Sequence, residues 1–549
     1  MKSLHLIPLL LVFTLSLQAQ TYQYQETKDD DYLPPAEEKS PRKKGYVFSS
    51  DSIFTIQVNT DAAGNNIPDD AANETSLAID PTNPNRMAIG WRQFDNIASN
   101  FRQAGLAISS DLGNTWQNQP PIEAGLFRSD PVLATDSQGK FYYNSLSDGF
   151  SCEVFTSDDL EDWSDKTYAF GGDKQWMVID QTDNPSNGNI YANWKAEFSD
   201  CEGNFTRSTD AGLSYEDCSF VDNNPIRGTL AIGPEGGLYA CGQLGAGHYF
   251  LRSESAQDPG SAVVWEEQTA VDLKGSLAQR AGPNPGGMLG QVWVAVDNSV
   301  QDTRGNVYVL SPVNRNDNND PSDMMFSKST DQGRTWSEAI SVAKDNSNSN
   351  WQWFGSISVA PSGRIDISWL DTRDNPGTVL SSLYYTFSLD GGETWSEDQR
   401  LSEAFDPHLG WPQQQKMGDY FQMISEDEGV HLAWAATFNG EQDAYYSFIP
   451  FGQTISSVAH LNLERLTAFE LSPNPAKESF SLQLESKVNQ KISLRIMNSE
   501  AKLIQQDYLS LKEGKLTQLI DTSSWENGVY LVHLESETWS ETRRIVVLY

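Results

Sequence analysis

Four copies of one eight-residue pattern constrain the fold of this chain more than any other feature of its sequence. In each copy a serine is followed, at fixed spacing, by aspartate, glycine, a hydroxyl residue and an aromatic residue. The aspartate can accept hydrogen bonds from the backbone amides after it, glycine adopts positive φ, and the aromatic ring packs under the turn. The pattern therefore predicts four β-hairpin turns. They span 109–116, 208–215, 329–336 and 388–395, with the pattern residues Asp111, Gly113, Trp116, Asp210, Gly212, Asp331, Gly333, Trp336, Asp390, Gly392 and Trp395.

A fifth copy, at 156–163, is degraded, because Leu160 stands where the other copies have glycine. The pattern as a whole resembles the Asp box of sialidases and other β-propellers. This resemblance implies an all-β fold made of radially arranged four-stranded blades.

A second repeat, out of step with the first, supports this interpretation. Seven times an apolar strand meets a polar turn and then a second strand rich in β-branched and aromatic residues. The spacing is near the roughly 40 to 50 residues of a four-stranded propeller blade, with room for additional loops. We therefore predict a seven-bladed propeller over residues 51–452, with the six blades of true sialidases as the alternative. The seven copies begin at Ser76, Pro131, Trp176, Thr229, Trp293, Ser356 and Tyr420.

The seventh copy ends at 443–450 without a turn pattern and so lacks one strand. The run 54–58, ahead of the first copy, is apolar and β-branched and could supply that strand. Such a pairing would close the ring without an exposed sheet edge.

The N-terminal residues are typical of an export signal. A lysine at position 2, an apolar stretch over 4–17 and a small residue at position 19 indicate a cleaved signal peptide over residues 1–20. Residues 21–50 are charged and contain proline, without periodicity, and we interpret them as a linker.

The C-terminal residues differ from the repeats. After a second linker at 453–466, the segment 471–475 contains Pro-Asn-Pro, 528–534 is a strand with Gly-x-Tyr, and 543–549 is basic and then apolar. In this order, these features resemble the C-terminal sorting domain of type IX secretion substrates. The resemblance implies a small β-sandwich over 467–549, the type IX secretion machinery as a partner, and a secreted or cell-surface location.

A net charge of −37 argues against nucleic acid as a partner, because phosphates would be repelled. No stretch beyond the signal peptide is long and apolar enough to span a bilayer. We expect a monomer without a cofactor or catalytic metal. The Asn- and Asp-rich runs at 180–189 and 314–320 leave a structural calcium ion possible, although turn chemistry is the favoured explanation.

The chain has four cysteines, and an oxidising exterior permits two disulfides in three connectivities. Cys201 and Cys218 flank one copy of the turn pattern, so they are the favoured pair.

The ligand face of a propeller carries the loops that leave each second strand and those that approach the next first strand. In this acidic chain those loops are rich in cations and tryptophan. Guanidinium groups can grip a carboxylate or sulfate, and tryptophan can stack on a sugar ring. An anionic carbohydrate is therefore the expected ligand, unless the charges pair with one another between blades. The predicted substrate-binding residues are Arg92, Arg128, Lys174, Lys195, Arg315, Trp353, Asp371 and Arg373.

The resemblance to sialidases implies a glycoside hydrolase with specific roles for these loops. Sialidases hold the sugar carboxylate with three arginines, for which Arg128, Arg315 and Arg373 are the candidates here. By the same resemblance Tyr420 is the candidate nucleophile and Asp95 the candidate acid.

Two other functions fit the same face. A lyase acting on uronate polymers would use a histidine or tyrosine base, for which His248 and His408 lie in suitable loops. A propeller without catalytic activity would simply bind a glycan or a protein there.

Overall fold

The computed structural model describes residues 30–36, 42–345, 347–452, 466–486, 489–498, 502–512, 514–525, 527–536 and 540–548. The predicted signal peptide and most of the second linker lie outside these residues. Within them the chain forms strands and two short 3₁₀ turns, Ala196–Phe198 and Ser255–Gln257, so the all-β prediction is confirmed. No helix in the described ranges has the length and apolar character needed to cross a membrane.

The first thirteen strands lead from the N-terminal segment through three sheets. They are β1 (Val47–Ser49), β2 (Phe54–Gln57), β3 (Ala71–Ile79), β4 (Met87–Phe94), β5 (Gln103–Ser109), β6 (Gln117–Ile122), β7 (Arg128–Thr135), β8 (Phe141–Ser147), β9 (Cys152–Ser157), β10 (Thr167–Tyr168), β11 (Trp176–Ile179), β12 (Ile190–Asn193) and β13 (Phe205–Ser208).

The next eighteen strands complete the repeats. They are β14 (Leu230–Ile232), β15 (Leu238–Leu244), β16 (Gly247–Ser253), β17 (Glu267–Val271), β18 (Gly275–Leu277), β19 (Gln279–Ala281), β20 (Asn284–Met288), β21 (Trp293–Val296), β22 (Val307–Arg315), β23 (Asp323–Ser329), β24 (Ile340–Ser341), β25 (Gln352–Val359), β26 (Ile365–Asp371), β27 (Ser382–Ser388), β28 (Gln399–Arg400), β29 (Gln422–Glu426), β30 (Gly429–Ala436) and β31 (Asp443–Pro450).

Within the described residues these strands form seven antiparallel sheets of three to five strands, which we number in chain order. Sheets 1 to 4 are β3–β6, β7–β10, β11–β13 and β14–β17. Sheet 5 contains β18 and β21–β24, sheet 6 is β25–β28, and sheet 7 joins β29–β31 to β2 and β1. A separate hairpin, β19–β20, precedes β21.

The innermost strands of the seven sheets contact one another in a closed cycle. Strand β3 contacts β7, and the contacts continue through β11, β14, β21, β25 and β29 back to β3. Aromatic rings fill part of the interior, where Trp176 meets Trp293 at 5.0 Å and Tyr420 at 5.6 Å between ring centroids. The innermost strands begin at one end of this ring, and we call that end the axial face.

The seam of the ring is closed by the N-terminal strand, as the sequence predicted. Strand β2 pairs antiparallel with β31, and Phe54 lies opposite Phe448. Asp443, the first residue of β31, accepts hydrogen bonds from Gln57 Nε2 at 2.9 Å and Asn59 Nδ2 at 3.0 Å. The two ends of the ring are thus joined by both backbone and buried side-chain hydrogen bonds.

The repeated turn patterns form hydrogen-bonded turns between the third and fourth strand positions of their sheets. In the first, Gly113 N donates to Ser109 Oγ at 3.0 Å, and Thr115 N donates to Asp111 Oδ1 at 2.9 Å. The other three patterns repeat the contact between glycine N–H and serine Oγ. The glycines adopt φ of 80 to 89°, which residues other than glycine rarely adopt.

The degraded copy is one residue shorter than the sequence alignment suggested. Its turn starts at Ser157 rather than Thr156, since Leu160 N donates to Ser157 Oγ at 2.8 Å. Leu160 takes the glycine's place with φ 70°. A disulfide joins Cys201 to Cys218, which lie on either side of β13 in the neighbouring sheet 3. Cys152 in β9 and Cys241 in β15 are buried free thiols.

The C-terminal residues form two further antiparallel sheets, β32–β33–β36 and β35–β34–β37–β38, whose buried apolar side chains form one hydrophobic cluster. These strands are β32 (Leu466–Ser472), β33 (Ser479–Ser486), β34 (Gln490–Asn498), β35 (Leu503–Leu511), β36 (Gly514–Asp521), β37 (Gly528–Glu535) and β38 (Ser540–Val547).

Candidate functional site

Seven equivalent residues mark the start of the innermost strands, and all seven have positive φ. Each lies two residues before a matching position of its strand, as Glu74 precedes Ser76 and Lys174 precedes Trp176. The pairing register shifts at this point in β3, β7 and β25, as expected for a β-bulge. Holding a residue other than glycine in this conformation costs roughly 1 to 3 kcal/mol, and such strain is often found at functional sites. These bulge positions are Glu74, Asp130, Lys174, Arg227, Gly290, Phe354 and Gly418.

Three charged bulge residues join a buried network that we call the axial cluster. Glu74 lies 3.2 Å from Arg92 Nε and 3.5 Å from Lys416 Nζ. Lys416 and Lys174 both bind Asp419, at 2.8 and 2.7 Å. The cluster consists of Glu74, Arg92, Asp130, Lys174, Lys416 and Asp419. Three cations therefore face three carboxylates.

The axial cluster separates the pKa values of its carboxyl groups. Burial raises the pKa of Glu74 to about 8, although Arg92 opposes the shift. Burial also acts to raise the pKa of Asp130, but Lys174 and Arg92 outweigh it and hold that pKa well below its usual range. Asp419 is likewise held low by Lys174 and Lys416 against burial. Separated carboxyl pKa values are the arrangement that acid–base chemistry uses.

The hairpin β19–β20 covers the axial cluster. Asn284 Nδ2 donates to Gly418 O at 2.9 Å, and Met417 N donates to Asn284 Oδ1 at 2.8 Å. Met288 N donates to Asp419 Oδ1 at 2.7 Å. Glu74, Arg92 and Asp130 are fully buried, and Lys174 is 9% exposed. The carboxyl groups of Glu74 and Asp130 are therefore shielded from solvent in this structure.

Arg227 is the bulge cation that reaches solvent. Its guanidinium donates to Gln243 Oε1 at 3.0 Å and, among the described residues, forms no ion pair. Burial lowers the pKa of Arg227, while Asp173 and Asp419 act to raise it and Arg280 acts to lower it. This half-buried guanidinium, beside the axial cluster, is suited to binding an anion.

The predicted arginine triad does not form. Arg128 pairs with Glu123 and Glu153, and Arg315 pairs with Asp317 and Asp323 at 2.7 and 2.8 Å. Arg373 pairs with Asp371 and Asp398, each at 2.6 Å. Each arginine thus holds two carboxylates within its own sheet region, and the three do not converge on one ligand. Asp371 is accordingly buried under Arg373 rather than open to a substrate.

Tyr420 and Trp353 also have structural roles that correct their predictions. Tyr420, the predicted nucleophile, is 1 % exposed, and its hydroxyl donates to Pro131 O at 2.7 Å. Burial raises its pKa well above the usual value. Trp353 is fully buried and donates to Ser381 Oγ at 3.0 Å, so it cannot stack on a sugar.

Three predicted residues lie on the axial face, each among different neighbours. Asp95 accepts hydrogen bonds from Gln93, Gln103 and Tyr32, the last at 3.1 Å from the N-terminal segment. His408 Nε2 lies 3.3 Å from Gly282 O. Lys195 pairs with Glu197 at 2.8 Å. The structure therefore does not bring Tyr420, Asp95 and His408 together as a catalytic set.

Two of the predicted binding residues, Arg92 and Lys174, belong to the axial cluster, where they pair with its carboxylates. The predictions missed Glu74 and Lys416. Aligning the innermost strands on Ser76, Val132 and Trp176 would have placed Glu74 beside Asp130 and Lys174. No comparable repeat position marks Lys416. Within the described ranges, no group of three or more His, Cys, Asp or Glu residues could hold a metal ion.

Comparison with known families identifies the C-terminal region. Residues 470–548 match the family described as Secretion system C-terminal sorting domain. The chain therefore ends in a secretion-system sorting domain, which confirms that prediction and indicates delivery to the cell surface or beyond. No curated protein matches the chain.

Several solved structures resemble the chain at low identity. A Dyadobacter fermentans protein of unknown function is 14% identical, with 72% of this chain and 98% of that one covered and a TM-score of 0.42. An ulvan lyase is 11% identical over 70% and 94%, with a TM-score of 0.42. The sialidase of Trypanosoma rangeli is 11% identical over 92% and 88%, with a TM-score of 0.35. Likenesses this weak carry no argument about activity.

Proposed function

We propose that this chain is a secreted, sialidase-like seven-bladed propeller with a C-terminal sorting sandwich, and that its axial face binds an anionic carbohydrate. The single observation that carries the ligand proposal is Arg227. It is a half-buried guanidinium with one hydrogen bond and, in the described part of the chain, no ion pair. A carboxylate or sulfate group is its natural partner.

The chemistry around Arg227 favours a saccharide that carries both charge and hydroxyl groups. Gln243 shares its amide oxygen between Arg227 and Gln279 Nε2, the latter at 3.3 Å, and orients the guanidinium. Asp173, which lies 3.3 Å from Lys174 Nζ, also acts electrostatically on Arg227. The sorting domain indicates delivery to the cell surface or beyond, which supports an extracellular polysaccharide as the ligand.

The test compares Arg227→Ala with the parent in calorimetric titrations against sialyllactose, oligogalacturonate and chondroitin sulfate. Loss of a charge-assisted contact worth about 1.5 to 3 kcal/mol should weaken binding roughly 10- to 150-fold. Arg315→Ala is the matched control, because its guanidinium is already held by Asp317 and Asp323. Unchanged affinity in Arg227→Ala would refute the proposal.

Glycoside cleavage is the second candidate, favoured by the separated pKa values of Glu74 and Asp130. A protonated Glu74 could serve as the acid and an ionised Asp130 as the base or nucleophile. Both groups are sealed in this structure, so cleavage would require the hairpin β19–β20 to move. Assays on the same three saccharides for new reducing ends and for unsaturated uronate absorbance separate hydrolysis, elimination and simple binding.

A further inference from the structure

Residues 30–36, which belong to the predicted N-terminal linker, lie on the axial face, and we call them the strap. They contact residues 95–101, the loop that leaves β4, which we call the sheet 1 loop. The two segments pair in opposite order along the chain. The hydrogen-bonded pairs are Asp30 with Asn100, Asp31 with Ser99 and Pro34 with Asn96. This ordered, antiparallel run of contacts indicates that the loop recognises the strap residue by residue.

The sheet 1 loop binds the strap largely through the strap's backbone. Ser99 Oγ donates to Asp31 O at 2.9 Å, and Asn96 Nδ2 donates to Pro34 O at 3.1 Å. Asn96 Oδ1 in turn accepts from Ala98 N at 3.0 Å, so the loop itself orients the amide group that meets the strap. The loop therefore presents polar groups that fit an extended peptide.

Tyr32 is the side chain that anchors the strap. Its hydroxyl donates to Asp95 Oδ2 at 3.1 Å, and its ring meets Phe101 edge to face at 5.5 Å between centroids. Pro34 and Pro35 follow, and because proline restricts φ, the strap loses less conformational entropy when it docks. Tyr32 remains 42% exposed, so the strap lies on the surface of the ring and is not part of its core.

The sheet 1 loop lies beside the axial cluster. Gln413 Nε2 donates to Ala98 O at 3.0 Å, and the neighbouring Gln414 accepts from Arg92 Nη1 at 3.2 Å. Arg227 precedes β14 in sheet 4, which is three sheets away from sheet 1 in the cycle of contacts. A short ligand at Arg227 thus need not reach the strap, whereas a polymer that crosses the axial face meets it.

The strap also changes the charge of this part of the axial face. Asp30 and Asp31 place two consecutive carboxyl groups there, and Asp31 is exposed. Carboxylates repel an anionic polymer at close range. The strap therefore opposes such a ligand both by occupying the polar groups of the loop and by its charge.

We propose that the strap is an intramolecular inhibitor of the axial face, which a long anionic polysaccharide must displace from the sheet 1 loop. This inference rests on the proposed function of that face and adds its regulation. Because the strap is part of the same chain, it competes at a high effective concentration. A strap that is bound about nine-tenths of the time lowers the apparent affinity for the polymer roughly tenfold.

The experiment compares the parent with a chain that begins at residue 42. This chain lacks the strap but keeps the ion pair of Arg42 with Asp61 and the strands β1 and β2. In calorimetric titrations, chondroitin sulfate and oligogalacturonate are the long ligands and sialyllactose is the short one. We expect the shortened chain to bind the long ligand about ten times more tightly, with sialyllactose binding unchanged.

Two further measurements keep the test valid should the shortened chain not fold. Tyr32→Ala in the full chain removes the anchor and should strengthen polymer binding several-fold. Its control is Tyr508→Ala, which removes an exposed tyrosine of the sorting domain and should change nothing. Tyr32→Ala should also leave sialyllactose binding unchanged.

A synthetic peptide of residues 30–36 tests the contact directly. In ligand-observed NMR it should bind the chain that begins at residue 42, and chondroitin sulfate or oligogalacturonate should displace it. A peptide with the same residues in reversed order should not bind. Binding that does not depend on the residue order would overturn the specific recognition by the sheet 1 loop.

The failure of this inference differs from the failure of the proposed function. If the parent, the shortened chain and Tyr32→Ala bind the polymer with equal affinity, the strap is not an inhibitor, although the axial face still binds anionic saccharides. If none of these proteins binds any of the three saccharides, the proposed function is wrong and the inhibitory role of the strap is wrong with it.

Discussion

Glu74 is a residue whose ionisation the structure opposes. It is fully buried at a bulge position, and burial raises its pKa to about 8 despite the three cations of the axial cluster. Because the folded-state pKa lies above the unfolded value, this group stabilises the fold while it is protonated. That contribution is complete below about pH 4.5 and is lost as pH rises through 8.

The corresponding prediction concerns Glu74→Gln, which keeps the shape but cannot ionise. The parent should lose up to about 1.4 kcal/mol of stability per pH unit through this group between pH 5 and 8. In the variant that slope should be smaller, and the difference is measured by denaturant unfolding at pH 5, 6, 7 and 8. Asp320 and Asp443, whose pKa values are raised to about 7, contribute the same slope to both proteins. Parallel stability curves would show that Glu74 is already ionised in the folded state.

How far the site could be predicted depends on what decides each residue's position. The positions of Arg128 and Arg373 near strand ends were predictable, but their partners were not, because Glu153 and Asp398 come from other segments of the chain. Tyr420 lies two residues after Gly418, as Trp176 lies two after Lys174, and both rings face the interior. The repeat alignment thus predicts burial for Tyr420, whereas the resemblance to sialidases favoured exposure.

At the scale of the element, the seam strand was predictable and the covering hairpin was not. The last copy lacks a fourth strand, so its sheet needs one from elsewhere in the chain. The apolar run 54–58, which belongs to no copy, could supply it, and the structure pairs it with β31 as β2. The hairpin β19–β20 has no repeat equivalent, and its sequence is rich in glycine and proline rather than alternating. Its position follows from Asn284 and Met288 contacts to the loop at 417–419, which no local pattern indicates.

The second prediction tests the seam. Deleting residues 51–60 should expose the edge of β31 and remove the amide donors to Asp443, which leaves a buried carboxylate poorly paired. We expect aggregation in size-exclusion chromatography and a clearly lower Tm. A truncation that removes only residues up to 46, and so keeps β1 and β2, is the control. Equal melting of the two truncated proteins would show that the ring closes without β2.

For the whole molecule, the repeat count indicated the number of sheets, because each copy encodes one hairpin pair at regular spacing. The change from repeats to the Pro-Asn-Pro segment also distinguished the C-terminal region, of which residues 470–548 match the sorting domain. The contents of the ring interior required the structure, since the six residues of the axial cluster come from distant positions in the sequence.

The final prediction concerns export of the whole molecule. The sorting domain has its own hydrophobic cluster, which contains residues from Phe469 to Val547, so its removal should leave the ring folded. In a host with type IX secretion, a chain ending at residue 452 should accumulate in the periplasm with unchanged Tm. The same host should deliver the full-length protein to the surface, and residues 453–549 fused to a periplasmic reporter should deliver the reporter there as well. Cell fractionation and surface proteolysis distinguish these locations. If the truncated chain reaches the surface as efficiently as the full-length protein, the sorting signal lies in the ring, and the C-terminal domain serves another purpose.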